Sequence, residues 1–263
     1  MLLPAALGLA VGLILALTGA GGGILAVPLL MFGLDWSITQ AAPVALLAVG
    51  ASAALGALIG LKQRVVRYRA AAMIAAIGVL ITPLGVLLAH RVPTRPLTVA
   101  FAAVLIYVAV RTFLQASPRS PSADATQPAP CLTNPESRQL VWNQPCAGML
   151  AGTGALAGLL TGLLGVGGGF VLVPALRRAT NLPMQSIIAT SLAVIALVSA
   201  AAITSAWFAG KLDISVGLPF VGGALAGMLA GRMIAGVLAG PRMQQGFALV
   251  AAGVAIGMLV RSF

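Results

Sequence analysis

The chain has 263 residues, 60% of them hydrophobic and only 7% charged, with a mean hydropathy of +1.08. No water-soluble domain of this length could cover that much apolar surface, so the composition excludes soluble enzymes and binding modules and points to an all-α polytopic membrane protein. The net charge of +11 comes from 15 lysines and arginines against four acids, but most of these cations flank apolar runs, where they anchor and orient helices, so nucleic acid is not the partner they imply.

In chain order, Met1-Leu2-Leu3-Pro4 offers no basic n-region and no cleavage site, so the first apolar run is expected to stay in place. Residues 2–34 are longer than the ~20 residues one span needs, and Gly19-Ala20-Gly21-Gly22-Gly23 divides them. Asp35 or Ser37 can cap the next helix. Apolar segments follow at 41–61, 70–89 and 97–115, with a basic loop at Lys62 to Arg69 and a short loop at His90 to Pro96. Residues 116–145 are rich in Ser, Pro, Thr, Asn and Gln and form a polar linker. Beyond it the plan repeats with a broken run at 147–176, a turn at Arg177 to Pro183, and segments at 185–209, 214–238 and 243–262.

The repetition extends to identity. Sliding one copy by 146 residues aligns Leu13–Leu30 with Leu159–Leu176 without a gap, and nine of the 18 pairs are identical. Leu46, Gly85 and Phe101 match Leu192, Gly231 and Phe247 at the same offset. The expected architecture is eight apolar helical segments in two homologous four-segment repeats, 1–115 and 146–263, each with a glycine-broken first segment. Charge places the Lys62–Arg69 loop in the cytoplasm. If the broken segments are re-entrant, the halves are inverted and Arg177, Arg178 and Arg242 join that side. Eight full spans would give parallel halves, and hydropathy alone favours those.

The tools for chemistry are few. One His, two Cys and the acids Asp35, Asp124, Glu136 and Asp213 make no catalytic or metal-binding cluster, so no catalytic residues, metal or cofactor are expected. The third glycine of a dinucleotide fingerprint is missing, since Ile24 and Phe170 occupy that place, and no G-K-[ST] ending is present. Isolated glycines such as Gly56 and Gly60 serve close helix packing. The duplicated triplets Gly21, Gly22, Gly23 and Gly167, Gly168, Gly169, each followed by Pro28 or Pro174, do more: a broken helix exposes backbone N–H groups and a positive helix end that suit an anion.

These stretches, Gly-Ala-Gly-Gly-Gly-Ile-Leu-Ala-Val-Pro and Gly-Val-Gly-Gly-Gly-Phe-Val-Leu-Val-Pro, with Ala189-Thr190-Ser191-Leu192-Ala193 and the four-plus-four layout, resemble the TauE/SafE family. The resemblance covers nearly the whole chain outside the linker. It implies a multi-pass permease of the bacterial-type inner membrane for sulfur-containing anions such as sulfite, thiosulfate or sulfonates. Its partners would be that small anion, a coupling ion and the lipid bilayer, with homo-oligomers left open and nucleic acid excluded. The first half departs from the pattern at Val44 and Ala45, the positions that align with Thr190 and Ser191.

Besides the glycines, Thr190, Ser191, Gln40 and Gln185 are candidates to line an anion path, and the hydroxyls of Thr190 and Ser191 could equally back-bond to their own helix. Asp35, aligned with Asn181, is either a cap or a carrier of a coupling proton. His90 is expected at the interface. Arg177 and Arg178 are interface anchors or an electrostatic funnel. Cys131 and Cys146 are either a disulfide or two free thiols. A carrier, an anion channel and a structural membrane protein all remain compatible with the sequence.

Overall fold

The computed structural model describes residues 2–18, 22–115, 131, 143–208, 214–238 and 241–262. Gly21, most of the linker with Asp124 and Glu136, Lys211, Asp213, and the side chains of His90 and Arg242 lie outside the described residues. Among the described residues, ten α-helices stand in place of the eight expected segments, because each glycine stretch cuts its apolar run into two helices. They are α1 (Leu2–Thr18), α2 (Ala26–Leu34), α3 (Ile38–Lys62), α4 (Tyr68–Arg91), α5 (Thr94–Gln115), α6 (Gln144–Leu164), α7 (Gly169–Ala179), α8 (Met184–Phe208), α9 (Ile214–Leu238) and α10 (Pro241–Ser262). Six of them, α3, α4, α5, α6, α8 and α9, contain stretches long and apolar enough to cross a membrane. The ends of α3 and α8 differ by the sequence offset of 146, as do the starts of α4 and α9.

Local signals explain where several helices begin and end. Ser37 opens α3 through a reciprocal cap, in which the Ser37 N–H donates to Gln40 Oε1 at 3.0 Å and the Ser37 side chain meets the N3 backbone. Asp35 is the C-cap of α2, in the left-handed region at φ 55°, rather than the N-cap of α3. Arg67 stands at the start of α4, and its N–H donates to Thr190 Oγ1 on α8 at 3.1 Å.

The short helices turn back. A Cβ on Gly22 would run into the backbone of Ile14 and Leu15, and one on Gly33 would stand 2.6 Å from Leu7 Cδ1, so α2 descends along α1 towards the end where α1 began. The same holds for α7. A Cβ on Gly168 would lie 2.7 Å from Ala157 O and 2.9 Å from Thr161 Oγ1, two turns back along α6. At the base of that hairpin Cys131 is disulfide-bonded to Cys146, and its N–H donates to Ala179 O at 2.9 Å. The two cysteines are therefore a pair, which staples one point of the linker to the base of α6 and α7.

Two ends of the bundle can now be told apart. At one, Arg261 on α10 pairs with Asp35 beside the start of α3, and Thr94 and Arg95 border the same crevice. At the other, Arg232 on α9 donates to Gln63 Oε1 at 3.3 Å, and Arg111 and Arg177 border one cavity. The Lys62–Arg69 loop and the Arg177/Arg178 turn share this second, strongly basic end.

Packing crosses between the halves. α1 lies along α9, α6 along α4, α3 against α8 and α5 against α10. Small residues make the closest contacts, because without a water-driven hydrophobic force helices in lipid gain mainly from near approach. Gly8 and Gly12 of α1 face Phe220, Ala224 and Met228 of α9, Gly223 and Gly227 of α9 face Ala5, Leu9 and Leu13 of α1, and Gly154, Gly158 and Gly162 of α6 face Ile74, Gly78 and Thr82 of α4, each against partner backbone. Thr82 Oγ1 adds bonds to Gly78 O at 2.7 Å and Gly158 O at 3.3 Å.

Gly158→Ala is expected to cost roughly 1–3 kcal/mol through overpacking, because its methyl would enter the Gly78 backbone. Gly253→Ala, with nothing within 4 Å of the new carbon, is expected to stay within about 0.5 kcal/mol. Thermal melts of the two variants in detergent check the difference.

Candidate functional site

The two glycine breaks meet near the middle of the bundle. Gly22, Gly23, Ile24 and Leu25 form one buried 3₁₀ turn that leads into α2. A Cβ on Gly23 would lie 3.1 Å from Val49 Cγ1 and 3.3 Å from Val166 O, so the first break touches the second. A Cβ on Gly167 would lie 3.0 Å from Ile195 Cγ2, 3.2 Å from Val49 Cγ1 and 3.5 Å from Ser199 Oγ. Val49 of α3 thus walls both breaks and Ile195 of α8 walls the second, and the two residues are themselves 146 apart.

The breaks are built differently. Gly165, Gly167 and Gly168 have φ of 73°, 70° and 63°, a region that costs an L-residue about 1–2 kcal/mol. Gly165 ends α6 and Gly168 is the N-cap of α7 without a side-chain cap bond. Gly22 and Gly23 are not among the described residues with positive φ, and at Gly22 it is the lack of space that demands glycine.

The start of α7 is chemically open. The N–H groups of Val171 and Leu172 donate to Gly168 O, at 3.1 and 3.3 Å, whereas those of Gly169 and Phe170 belong to the first turn, which has no intrahelical acceptor. Eleven residues give this helix a dipole whose positive end lies here. Beside it, Ser199 Oγ is fully buried and has no hydrogen-bond partner. Ser52 and Ser191 on α3 and α8 are in the same condition. The contrast with Thr82, Thr153, Thr161 and Thr180 is informative, since each of these satisfies its hydroxyl on the carbonyl four residues back at 2.6–2.7 Å.

A cavity of about 110 Å³ at the basic end includes the start of α7 in its lining. Gly169, Phe170, Arg111 and Arg177 line it, together with Thr18, which precedes the first break. Arg111 Nη1 donates to Tyr107 Oη at 2.9 Å.

The remaining sequence candidates are dispersed. Thr190 is buried and its hydroxyl accepts the Arg67 N–H at 3.1 Å, while the buried hydroxyl of Ser191 beside it has no hydrogen-bond partner and so does not back-bond to α8.

 Gln40 serves the cap of α3 at the other end of the bundle. Gln185 is exposed at the start of α8, where it borders a crevice with Gln63 and Arg232. Asp35 is exposed and ion-paired to Arg261 at 2.7 Å. Of the sequence candidates, Gly22, Gly23, Gly167, Gly168 and Gly169 are therefore the ones brought together, while Gly21 lies outside the described residues. Ser199 and Arg111 join them. A charge at position 111 inside an apolar segment is a signal in its own right, whereas Ser199 is one small residue among many in α8 and only its unmet hydroxyl marks it.

Comparison with known proteins bears on the class of the chain rather than on the site. The family model described as sulfite exporter TauE/SafE matches residues 4–258. A probable membrane transporter protein of Xylella fastidiosa strain 9a5c is 27% identical over 258 residues, which cover 96% of this chain and 92% of that protein. The similarly described protein of strain Temecula1 matches to the same extent. No solved structure gives a significant match. With a match over nearly its whole length and six helices able to cross a bilayer, the chain belongs to the TauE/SafE sulfite exporter family and is a multi-pass membrane transporter.

Proposed function

We propose that the chain is a secondary carrier of a small sulfur-containing anion, such as sulfite, thiosulfate or an organosulfonate, bound where the glycine breaks meet. The observation that carries this reading is the open N-terminus of α7 beside the buried, unpartnered hydroxyl of Ser199. An unmet hydroxyl in a dry interior costs about 1–3 kcal/mol, a cost that a bound oxyanion would remove by accepting from it. Anions gain roughly 0.3–1 kcal/mol at a helix N-terminus, and up to about 2 when partly buried. Gly167, Gly168 and Gly169 supply the backbone, Gly22 and Gly23 close the opposite wall, and Ser191 lies one stage nearer the basic end.

In this reading residues 1–115 and 146–263 are two repeats of inverted orientation, joined by the linker 116–145. Each has a re-entrant hairpin, α1–α2 or α6–α7, followed by three crossings. The common offset of 146 between α3 and α8 and the reciprocal packing of α1 on α9 and α6 on α4 support it. The end with Lys62, Arg64, Arg67, Arg69, Arg177 and Arg178 then faces the cytoplasm. The Cys131–Cys146 bridge falls at that same end, where structural disulfides are rare; both cysteines are fully buried, which shields the bond from reductants.

Two outcomes are expected. Ser199→Ala should melt at or above the wild-type temperature, since it deletes an unmet polar group, while the KM for thiosulfate in proteoliposomes rises about two- to tenfold through loss of one hydrogen bond. A lower melting temperature with unchanged KM would remove Ser199 from the site. In a background lacking both native cysteines, Gln63→Cys and Met184→Cys should label from one face of the membrane and Thr94→Cys from the other. Labelling of the first two from opposite faces would restore parallel halves.

A further inference from the structure

The cavity at the basic end contains more charge than a helix N-terminus needs. Arg111 reaches it from α5 and Arg177 from α7, with the hydroxyls of Thr18 and Thr112 on its wall and no acid among its lining residues. Hydrogen bonding to Tyr107 Oη at 2.9 Å holds the Arg111 guanidinium at the protein wall. Guanidinium groups carry a permanent charge and a fork of donors that fits the oxygens of an oxyanion.

The corresponding crevice at the opposite end is different. At the offset of 146, Arg177 corresponds to Met31, Thr112 to Met258 and Arg111 to Gly257. Met31 and Met258 do line a crevice there, so the same cleft between half-helix, α5 and α10 exists at both ends. That crevice holds Arg95 and Arg261, but Asp35 neutralises Arg261 at 2.7 Å. The repeated fold therefore does not require the two arginines of the basic-end cavity, and their excess charge has no internal partner among the cavity's own residues.

We propose that the Arg111–Arg177 cavity is a capture site for small dianionic oxyanions and sets the charge preference of the carrier before the anion reaches the glycine break. This rests on the anion-carrier reading above. Two permanent cations and the positive end of α7 favour a second negative charge on the ligand in a partly desolvated cleft. A monoanion would leave one guanidinium uncompensated. Some 110 Å³ gives room for a small polyatomic anion with a few waters.

The test measures ligand-induced shifts in melting temperature for the full chain in lipid-free maltoside micelles, titrated with thiosulfate as dianion and methanesulfonate as monoanion. Wild-type protein should bind thiosulfate about tenfold more tightly than methanesulfonate. Arg177→Gln and Arg111→Gln should each weaken thiosulfate about tenfold, the loss of one charge-assisted bond, while methanesulfonate changes less than about threefold. Arg177→Lys should keep most of the preference. Equal binding of both anions by wild type, or an intact preference in Arg177→Gln, would overturn the capture site and leave the carrier reading standing. Binding of neither anion by wild type would overturn both. Arg177 is exposed, so its variants should fold, and they decide the matter if Arg111→Gln does not. Repeating the titration with anionic lipid added separates a headgroup from a free ligand: competition by lipid in place of thiosulfate binding would reassign the site to a lipid phosphate.

Discussion

Everything in this structure answers to one constraint, that a backbone N–H in a membrane interior must find an acceptor. Uninterrupted helices meet it within themselves, and α3, α4, α5, α8 and α9 do so over 22 to 25 residues each. The two glycine stretches break it on purpose. At the second, three positive-φ glycines end α6, reverse the chain and start α7 inside the bundle, which leaves donors facing a small polar space. Such a feature is stable only because α3 and α8 wall it off from lipid with Val49, Ile195 and Ser199.

The half-helices also explain the rest of the packing. Since α1 and α6 carry returning hairpins, each must be gripped on its remaining side, and each is held by a long helix from the other half through glycine-lined contacts. Those contacts are made backbone to backbone, with no side-chain layer to absorb displacement. In the carrier reading proposed above, each hairpin would shift together with its partner helix against α3 and α8.

Much of this was legible in the sequence. Four glycines in five residues, duplicated within apolar runs, locate both breaks, and the offset of 146 places the ends of α8 once those of α3 are known. The return of α2 along α1 was not legible, because it depends on Gly22 fitting against Leu15 and Gly33 against Leu7, contacts that periodicity does not encode. Thr190 illustrates the same limit: a hydroxyl in an apolar helix invites a transport role, yet it caps α4 through Arg67, 123 residues away in sequence. Hydropathy likewise counts the broken runs as spans, since it records apolar length and is blind to a reversal of direction.

The central claim is that an anion binds between the α7 N-terminus and Ser199. Locating selenite, a heavier analogue of sulfite, by anomalous scattering in crystals of the protein tests it most directly. The account predicts a selenium peak at the Gly169 and Phe170 N–H groups, within reach of Ser199 Oγ. A peak elsewhere in the bundle, with that position empty at saturating selenite, would contradict it.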